Sequence, residues 1–307
     1  MRAARECEMK KLTAEIFDVK RFAIHDGDGI RTTVFFKGCP LHCVWCHNPE
    51  GIAPYPELQF APERCAFCGE CVRVCPNGVH ALENKTHTLR RTACSACGRC
   101  AEACLTNALT LCGRRMTLEQ VLQTVLADMP FYGETGGVTL SGGECLCQPE
   151  FCAALLRALH ARSVNTAVDT SGCVPRSAIE QVLDAADIFL YDIKHIDPEQ
   201  HRRYTGADNA LILDNLRFLN EKGKRIEIRI PLIPGVNDDV QTISQIGALL
   251  ARMQMVEKVR VLPYNNLAGS KYTLLGRQNT MPACQPPAEA SLREIRALLA
   301  SYSLRVI

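Results

Sequence analysis

The sequence predicts an α/β fold, namely a partial (β/α)6 TIM-like barrel that is interrupted by a small cysteine-rich insert. Short apolar, β-branched runs alternate six times with amphipathic stretches. Such alternation is typical of βα units around a parallel sheet. Residues 52–113 break the alternation and contain eight regularly spaced cysteines. Six units favour an incomplete barrel over a closed eightfold one, and a doubly wound sheet fits the same pattern.

The predicted elements follow from hydrophobic periodicity. Leu118, Val121, Leu122 and Val125, for example, repeat at the spacing of one helix face. The predicted strands are Thr33–Phe36, Val138–Leu140, Asn165–Val168, Ile188–Tyr191, Ile226–Ile230 and Lys258–Leu262. The predicted helices are Thr117–Met129, Glu150–Ala161, Arg176–Ala185, Asn209–Glu221, Val240–Met253 and Ala288–Ser301.

Composition narrows the class of protein. The chain of 307 residues is 47% hydrophobic and has a net charge of +2, which gives no strong field for nucleic acid or for an anionic membrane. The sequence contains no apolar run near the roughly 20 residues that span a bilayer. The first residues lack the apolar core of a signal peptide. We therefore expect a cytoplasmic protein without nucleic-acid or membrane partners.

Cysteine is over-represented, with 18 residues in the chain. In a reducing compartment, clustered cysteines at short, regular spacings indicate metal sites rather than disulfides. We expect two domains. Residues 1–51 and 114–307 form the barrel, and residues 52–113 form an insert whose core is its metal clusters.

Polar motifs follow five of the predicted strands. They are Ser141–Glu144, Asp169–Gly172, Asp192–Lys194, Pro234–Gly235 and Pro263–Asn265. Because the carboxyl ends of parallel strands build the active site in βα folds, we expect these motifs to share one rim.

The first metal motif is Cys39, Cys43 and Cys46, with the spacing C-x3-C-x2-C just after the first strand. Three thiolates can hold three corners of a [4Fe–4S] cluster and leave the fourth iron open to substrate. A structural zinc loop with His42 or His47 as fourth ligand is the alternative.

The insert contains the run C-x2-C-x2-C-x3-C twice, and the first run is followed by Pro76. This run is the signature of two-cluster ferredoxins, in which the fourth cysteine ligates the other cluster. The predicted ligand sets are Cys65, Cys68, Cys71 and Cys104 for one [4Fe–4S] cluster, and Cys94, Cys97, Cys100 and Cys75 for the other. Paired zinc knuckles are the alternative.

Three motifs together resemble a known family. C-x3-C-x2-C resembles the radical S-adenosylmethionine (SAM) superfamily, and His25–Arg31 (HDGDGIR) and Trp45–Asn48 (WCHN) are similar to the glycyl radical enzyme activating enzymes. The resemblance implies an oxidoreductase that uses one electron to cleave SAM into methionine and a 5′-deoxyadenosyl radical. That radical takes a Cα hydrogen from a glycine in a partner's C-terminal loop. No side chain is then required for proton transfer.

The resemblance also implies SAM contacts at the rim. Gly142, Gly143 and Glu144 match the GGE motif, with Glu144 accepting from the SAM ammonium; an ordinary glycine turn is the alternative. Asp169, Thr170, Asp192 and the Leu190 backbone match a monovalent cation site, although Asp169 also suits a helix N-cap. The remaining implied SAM-site residues are Trp45, His47, Ile193, Lys194, Arg229 and Asn265.

One of these positions has an alternative interpretation, and another departs from the pattern of a family member. Arg229 suits a carboxylate because its guanidinium is bidentate, and a surface ion pair is its alternative. Asn265 stands where pyruvate formate-lyase activating enzyme has a histidine.

The expected cofactors are three [4Fe–4S] clusters, SAM and a monovalent cation. The expected partners are a glycyl radical enzyme and an electron donor such as flavodoxin or ferredoxin. We interpret the insert as an electron path to the SAM cluster, with a structural or docking role as the alternative. Since the pyruvate formate-lyase activator lacks such an insert, pyruvate formate-lyase is not the expected partner. Rival interpretations are a radical SAM enzyme with another substrate, a ferredoxin-like electron carrier and a zinc-binding interaction protein.

Overall fold

A computed structural model describes residues 12–307. The strands are β1 (Thr13–Ala23), β2 (Arg31–Phe36), β3 (Glu57–Phe60), β4 (His80–Glu83), β5 (Thr86–Leu89), β6 (Leu109–Cys112), β7 (Arg114–Thr117), β8 (Gly137–Gly142), β9 (Asn165–Thr170), β10 (Ile188–Asp192), β11 (Ile226–Leu232) and β12 (Val256–Pro263). The helices are α1 (Glu70–Val74), α2 (Arg99–Glu102), α3 (Leu118–Leu126), α4 (Pro149–His160), α5 (Arg176–Val182), α6 (Pro198–Thr205), α7 (Ala210–Glu221), α8 (Val240–Leu250), α9 (Gly269–Leu274) and α10 (Glu289–Ala300).

The main sheet has eight strands in the order β12-β11-β10-β9-β8-β2-β1-β7. Its first six strands pair in parallel, and β1 is antiparallel to both β2 and β7. The parallel strands follow one another in chain order, without the reversal that a doubly wound sheet requires. The α/β class is therefore confirmed, with a mostly parallel central sheet.

The two faces of the sheet differ in chemistry, as β11 illustrates. Ile226, Ile228 and Ile230 are fully buried and belong to the main hydrophobic core, which also includes residues of α7 and α8. The intervening Glu227 and Arg229 are buried but charged. Successive side chains of a strand point to opposite faces. One face of β11 therefore packs against helices, and the opposite face carries the charged side chains.

The loop between β1 and β2 lies across this charged face. Asp28 forms a salt bridge with Lys258 of β12 at 2.5 Å, and Asp26 accepts a hydrogen bond from Thr33 of β2 at 2.8 Å. Arg31 is buried, and its guanidinium donates to Thr139 Oγ1 at 2.7 Å and to Asn165 Oδ1 at 2.9 Å. The HDGDGIR segment is therefore fixed by strands from both halves of the sheet.

The segment between β2 and β7 has its own small core. Strands β3 and β6 pair antiparallel, as do β4 and β5. Leu58, Phe60, Ala108 and Leu109 pack there against cysteine side chains. β7 then pairs with β1, so the chain re-enters the main sheet at Arg114.

The predicted strands and helices are all present, with ends that differ by a few residues. The structure adds β1, β7, α6 and α9, which lie within residues 12–51 and 114–307. β1 was not predicted because it lies near the edge of the sheet, where only alternate residues are buried and charged side chains interrupt the apolar pattern.

Within residues 12–307, the structure contains no helix with the length and hydropathy of a membrane span.

Candidate active site and cluster ligands

The loop after β2 carries Cys39, Cys43 and Cys46 at the carboxyl edge of the sheet. The N–H of Gly38 donates to the carbonyl of Gly51 at 2.8 Å, and that of Cys39 donates to the carbonyl of Ile52 at 3.0 Å. These bonds close the loop on itself, so the three thiols are held by one short, self-contained turn of chain.

Two helices hold the same loop from outside. The N–H of His42 donates to the carbonyl of Thr205 in α6 at 2.7 Å, and that of Val44 donates to the carbonyl of Tyr204 at 3.0 Å. The hydroxyl of Tyr272 in α9 donates to the carbonyl of Cys46 at 3.0 Å. Neither helix was predicted from sequence, because each is short and lacks a clear periodic pattern of apolar residues.

The thiols lie in a desolvated setting. Burial raises the pKa of Cys43 to about 12 and raises the pKa of Cys39 and of Cys46 as well. The thiolates therefore require a compensating cation, since burial disfavours the charged form. Soft sulfur ligands suit iron–sulfur clusters rather than hard cations. The three residues thus fit a cluster that leaves one iron without a protein ligand.

Lys194 supplies fixed positive charge beside this loop. Burial lowers its pKa, but Asp192 and the Cys43 thiolate outweigh burial, so the pKa of Lys194 is raised and its ammonium stays charged. Nζ lies 2.6 Å from Asp192 Oδ2. Lys194 and Asp192, both predicted from sequence, are therefore brought together next to Cys43, and Ile193 between them is buried.

Gly142 and Gly143 allow the β8 edge to approach the cysteine loop. Gly142 has φ +128, and an added Cβ would lie 2.3 Å from both the N and the O of Phe36. A Cβ on Gly143 would lie 2.3 Å from the carbonyl oxygen of Gly51 and 2.5 Å from that of Gly38. These distances exclude a side chain at either position.

Glu144 is a buried brace between two rim motifs. Oε1 accepts from Thr170 Oγ1 at 2.9 Å and from the N–H of Leu146 at 3.2 Å. Oε2 accepts from the N–H and the hydroxyl of Ser171 at 2.9 and 2.7 Å. Burial raises the pKa of Glu144, and these donors oppose the rise. Four donors use the accepting capacity of this carboxylate, so its contact with a SAM ammonium stays a prediction.

Asp169 and Arg229 form a buried pair. Arg229 Nη1 lies 3.4 Å from Asp169 Oδ1, and its Nη2 donates to the carbonyl of His25 at 2.7 Å. Ser141 donates to Asp169 Oδ2 at 2.6 Å. Arg229 is therefore buried rather than a surface ion pair, and the Asp169 carboxylate is held by Ser141 rather than serving as a helix cap. Ser141 belongs to the predicted Ser141–Glu144 motif, but the sequence assigned it no role of its own.

The backbone aligns these groups across the sheet. Leu190 is the register partner of Asp169 in the β9–β10 pair, and Asp192 is the register partner of Arg229 in the β10–β11 pair. Asp169, Leu190, Asp192 and Arg229 thus come from three neighbouring strands near one edge. This arrangement follows from parallel pairing, which places equivalent strand ends side by side.

Trp45, His47 and Asn265 lie on the other side of the cysteine loop. Trp45 is buried among Ile233, Tyr264 and other residues of a second small core. His47 Nε2 lies 3.0 Å from the carbonyl oxygen of Asn265. Burial lowers the pKa of His47 despite this bond, which favours the neutral ring. Trp45 therefore packs as core, and the SAM contacts of all three residues stay predictions.

Salt bridges that sequence did not reveal connect the cysteine loop, the insert and the segment around α9. Buried Lys37 lies 3.1 Å from Glu57 in β3, and Arg277 lies 2.6 Å from the same carboxylate. Lys271 of α9 lies 2.7 Å from Glu50. Their partners are far apart in sequence, so spacing carries no signal for them.

The insert's cysteines line two separate cavities. One is lined by Cys65, Cys68, Cys71 and Cys104. The other is lined by Cys75, Cys94, Cys97 and Cys100. Each cavity therefore takes three cysteines from one sequence run and one from the other.

The buried Asp169 carboxyl predicts a pH dependence. Burial and Asp192 raise its pKa to about 6 from an ordinary 3.8, although Arg229 opposes the rise. The folded protein binds this proton more tightly than the unfolded chain. Its contribution to stability is therefore complete below pH 4 and is lost as pH rises through 6.

We expect the Asp169→Asn variant, which mimics the neutral carboxyl, to lack this loss. Between pH 5 and 7, wild-type stability should fall relative to the variant by at most about 1.4 kcal/mol per pH unit. Urea midpoints of both proteins at each pH measure the difference, and a difference that is constant with pH contradicts the assignment.

Comparison with known proteins matches the chain to the Radical SAM superfamily model over residues 33–246. Choline trimethylamine-lyase activating enzyme of Oleidesulfovibrio alaskensis is 39% identical, over 95% of this chain and 97% of the relative. Indoleacetate decarboxylase activating enzyme of Tractidigestivibacter scatoligenes is 37% identical, over 97% and 98%. Trans-4-hydroxy-L-proline dehydratase activating enzyme of Clostridioides difficile is 39% identical, over 92% and 95%.

Among solved structures, a domain of pyruvate-formate lyase-activating enzyme from Bacteroides vulgatus is 30% identical, with a TM-score of 0.48. It covers 56% of this chain and 98% of its own. The family implies a [4Fe–4S] cluster and SAM, and the three thiols after β2 suit the cluster. The superfamily match and the full-length relatives show that the chain belongs to the radical SAM superfamily and, within it, to the glycyl radical enzyme activating enzymes.

Proposed function

We propose that this enzyme cleaves SAM reductively and takes a Cα hydrogen from a glycine in the C-terminal loop of a glycyl radical enzyme. A cluster held by Cys39, Cys43 and Cys46 would supply the electron that breaks the sulfonium C–S bond of SAM. The observation that carries the proposal is the set of three half-buried, desolvated thiols at the edge where β8, β9, β10 and β11 bring their polar residues.

The rim residues have proposed roles toward SAM. Arg229 suits the SAM carboxylate, because a buried guanidinium binds a carboxylate in a bidentate way. Asp169, Asp192, Thr170 and the Leu190 carbonyl suit a monovalent cation, since two carboxylates close together need a positive charge between them. Further residues proposed at the SAM site are Gly142, Gly143, Glu144, Ile193, Lys194, Trp45, His47 and Asn265.

Existing pairs at the rim support these roles. Arg229 is paired with Asp169, and Lys194 with Asp192. A zwitterionic amino acid group can exchange partners with such pairs without leaving a charge unpaired, which keeps the cost of burying it low. Arg229 also holds the His25 carbonyl, so the HDGDGIR segment lies beside the proposed SAM site, where we place its contact with the glycine loop.

We further propose that the six parallel strands form a partial (β/α)6 barrel and that residues 52–113 form a ferredoxin-like insert with two [4Fe–4S] clusters. The sequential strand order and the two four-cysteine cavities support this. The proposed ligand sets are those that line each cavity, so the enzyme would contain three clusters. The insert would pass electrons from a flavodoxin or ferredoxin to the SAM cluster.

The proposed partner is the class of glycyl radical enzymes rather than one particular enzyme. Relatives of similar identity are named for a choline lyase, an indoleacetate decarboxylase and a hydroxyproline dehydratase. Their common feature is the activating reaction, which we assign to this chain. Since the thiolates require a reducing compartment, we place the protein in the cytoplasm.

SAM cleavage tests the proposed reaction. Anaerobically reconstituted protein, given dithionite and SAM, should produce 5′-deoxyadenosine. The Cys39→Ala, Cys43→Ala, Cys46→Ala variant should produce none above the reagent background, because no cluster forms to deliver the electron. Chromatography quantifies the product. Cys284→Ala, which changes a cysteine outside the three motifs, should retain wild-type yield. Equal yields from the triple variant and wild type would contradict the assignment.

Paired cysteine variants test the crossed ligand sets. A chain with three cubes should contain about twelve iron atoms. Cys75→Ala with Cys94→Ala changes one proposed cluster and should leave about eight, whereas Cys75→Ala with Cys65→Ala changes two and should leave about four. Iron and sulfide analysis measures both. The reverse result, with less iron in the Cys75→Ala, Cys94→Ala variant than in the Cys75→Ala, Cys65→Ala variant, would show that each sequence run ligates its own cluster.

A further inference from the structure

The two halves of the insert repeat almost identically. Short 3₁₀ turns precede Cys65 and Cys94. Left-handed backbone recurs at equivalent positions, at Phe67 and Gly69 in the first half and at Ala96 and Gly98 in the second. Two sites with matching backbones are expected to give clusters with similar properties, so any difference must come from residues outside the repeat.

The β4–β5 hairpin lies between the two halves and breaks this equivalence. His87 of β5 places Nδ1 3.4 Å from Cys65 Sγ and Nε2 3.8 Å from Cys71 Sγ. At the other site, within residues 12–307, the donors to sulfur are backbone amides, from Val79 to Cys75 and from Ala96 to Cys94. His80 also lines this second cavity, but only His87 has a ring nitrogen within hydrogen-bonding distance of a cysteine sulfur, and that sulfur belongs to the first ligand set.

The proton on His87 can be assigned by chemistry. A thiolate sulfur accepts hydrogen bonds but cannot donate them, so His87 Nδ1 must carry the proton when Cys65 is a ligand. In the neutral ring, Nε2 is then an acceptor. Nδ1 of His80 lies 3.0 Å from this nitrogen and donates to it. The result is a chain of two donors, from His80 to His87 to Cys65.

The surroundings hold this chain in place. His80 is 5% exposed, and its ring centroid lies 5.2 Å from that of His87. His87 also packs edge-on against Phe60 at 4.5 Å. Hydrogen-bond and packing partners of this kind fix the orientation and tautomer of a histidine. His87 is thus oriented by its neighbours before any iron is present.

We propose that His87, oriented by His80, donates a hydrogen bond to Cys65 and raises the reduction potential of the cluster on Cys65, Cys68, Cys71 and Cys104 above that of its twin. This inference rests on the proposed two-cluster insert. Reduction adds negative charge that spreads onto the thiolates, so a donor stabilises the reduced form and raises the potential. Thr106, which lies 3.6 Å from Cys104 Sγ, acts in the same direction.

The two sites also differ in their contacts with the rest of the structure. Arg91, three residues before Cys94, donates to the carbonyl of Leu274 in α9, the helix whose Tyr272 holds Cys46. On the opposite site, Leu105 is 94% exposed and Phe67 is 43% exposed. The His87 site therefore carries exposed apolar side chains that an external electron donor could contact.

A redox titration followed by electron paramagnetic resonance tests the proposal. The full-length chain carrying Cys39→Ala, Cys43→Ala and Cys46→Ala keeps only the insert's clusters. Adding His87→Phe retains the ring packing and removes the donor. We expect the midpoint potential of one insert cluster to fall, while the midpoint potential of the other stays unchanged. His87→Gln, which restores an N–H donor, should reverse part of the shift.

Controls distinguish a failure of the His87 proposal from a failure of the proposed two-cluster insert. His160→Phe, at an exposed histidine of α4, should shift neither cluster. A parent protein without insert iron, or with zinc on these cysteines, overturns the two-cluster function itself. Unchanged potentials in a fully loaded His87→Phe protein overturn only the role of His87. If that variant does not assemble clusters, His87→Leu takes its place. It also removes the donor, so we expect a shift in the same direction, and unchanged potentials would overturn the proposal.

Discussion

The structure depends on the desolvation of three half-buried thiols in a loop that follows a single strand. Cys39, Cys43 and Cys46 are desolvated, and their raised pKa values mean that they become anionic only together with a cation. An iron–sulfur cluster satisfies this requirement. The surrounding elements can be understood as supports for the loop, since β8 approaches it through two glycines and α6 and α9 bind its backbone.

The parallel sheet places polar groups from distant parts of the chain beside that loop. Glu144, Asp169, Asp192 and Arg229 come from four successive strands and lie near one edge. Each is already paired, with Ser171, Ser141, Lys194 and Asp169 respectively. A preformed site of this kind requires little rearrangement when a charged ligand binds, which reduces the cost of binding.

Much of this arrangement could be predicted from sequence. Cysteine spacing is a local property, and alternating periodicity identifies βα units, so the ligand motifs and the parallel strands were accessible. The role of Glu144 as a brace was not, because it depends on how close β9 lies to the end of β8. Neither was the contact of His87 with Cys65, which arises only when the β4–β5 hairpin folds back on the first cysteine run. The salt bridges of Lys37 and Arg277 with Glu57 likewise join segments without any sequence period.

The origin of the hydrogen abstracted by the adenosyl radical decides whether this enzyme acts on a glycine of a partner enzyme. Glycyl radical enzymes of the choline lyase, indoleacetate decarboxylase and hydroxyproline dehydratase types can be prepared with α-dideuterated glycine and incubated with this enzyme, SAM and reductant. The account predicts deuterium in 5′-deoxyadenosine and a glycyl radical signal with at least one partner. Unlabelled 5′-deoxyadenosine, with no radical signal from any of the three, would contradict it.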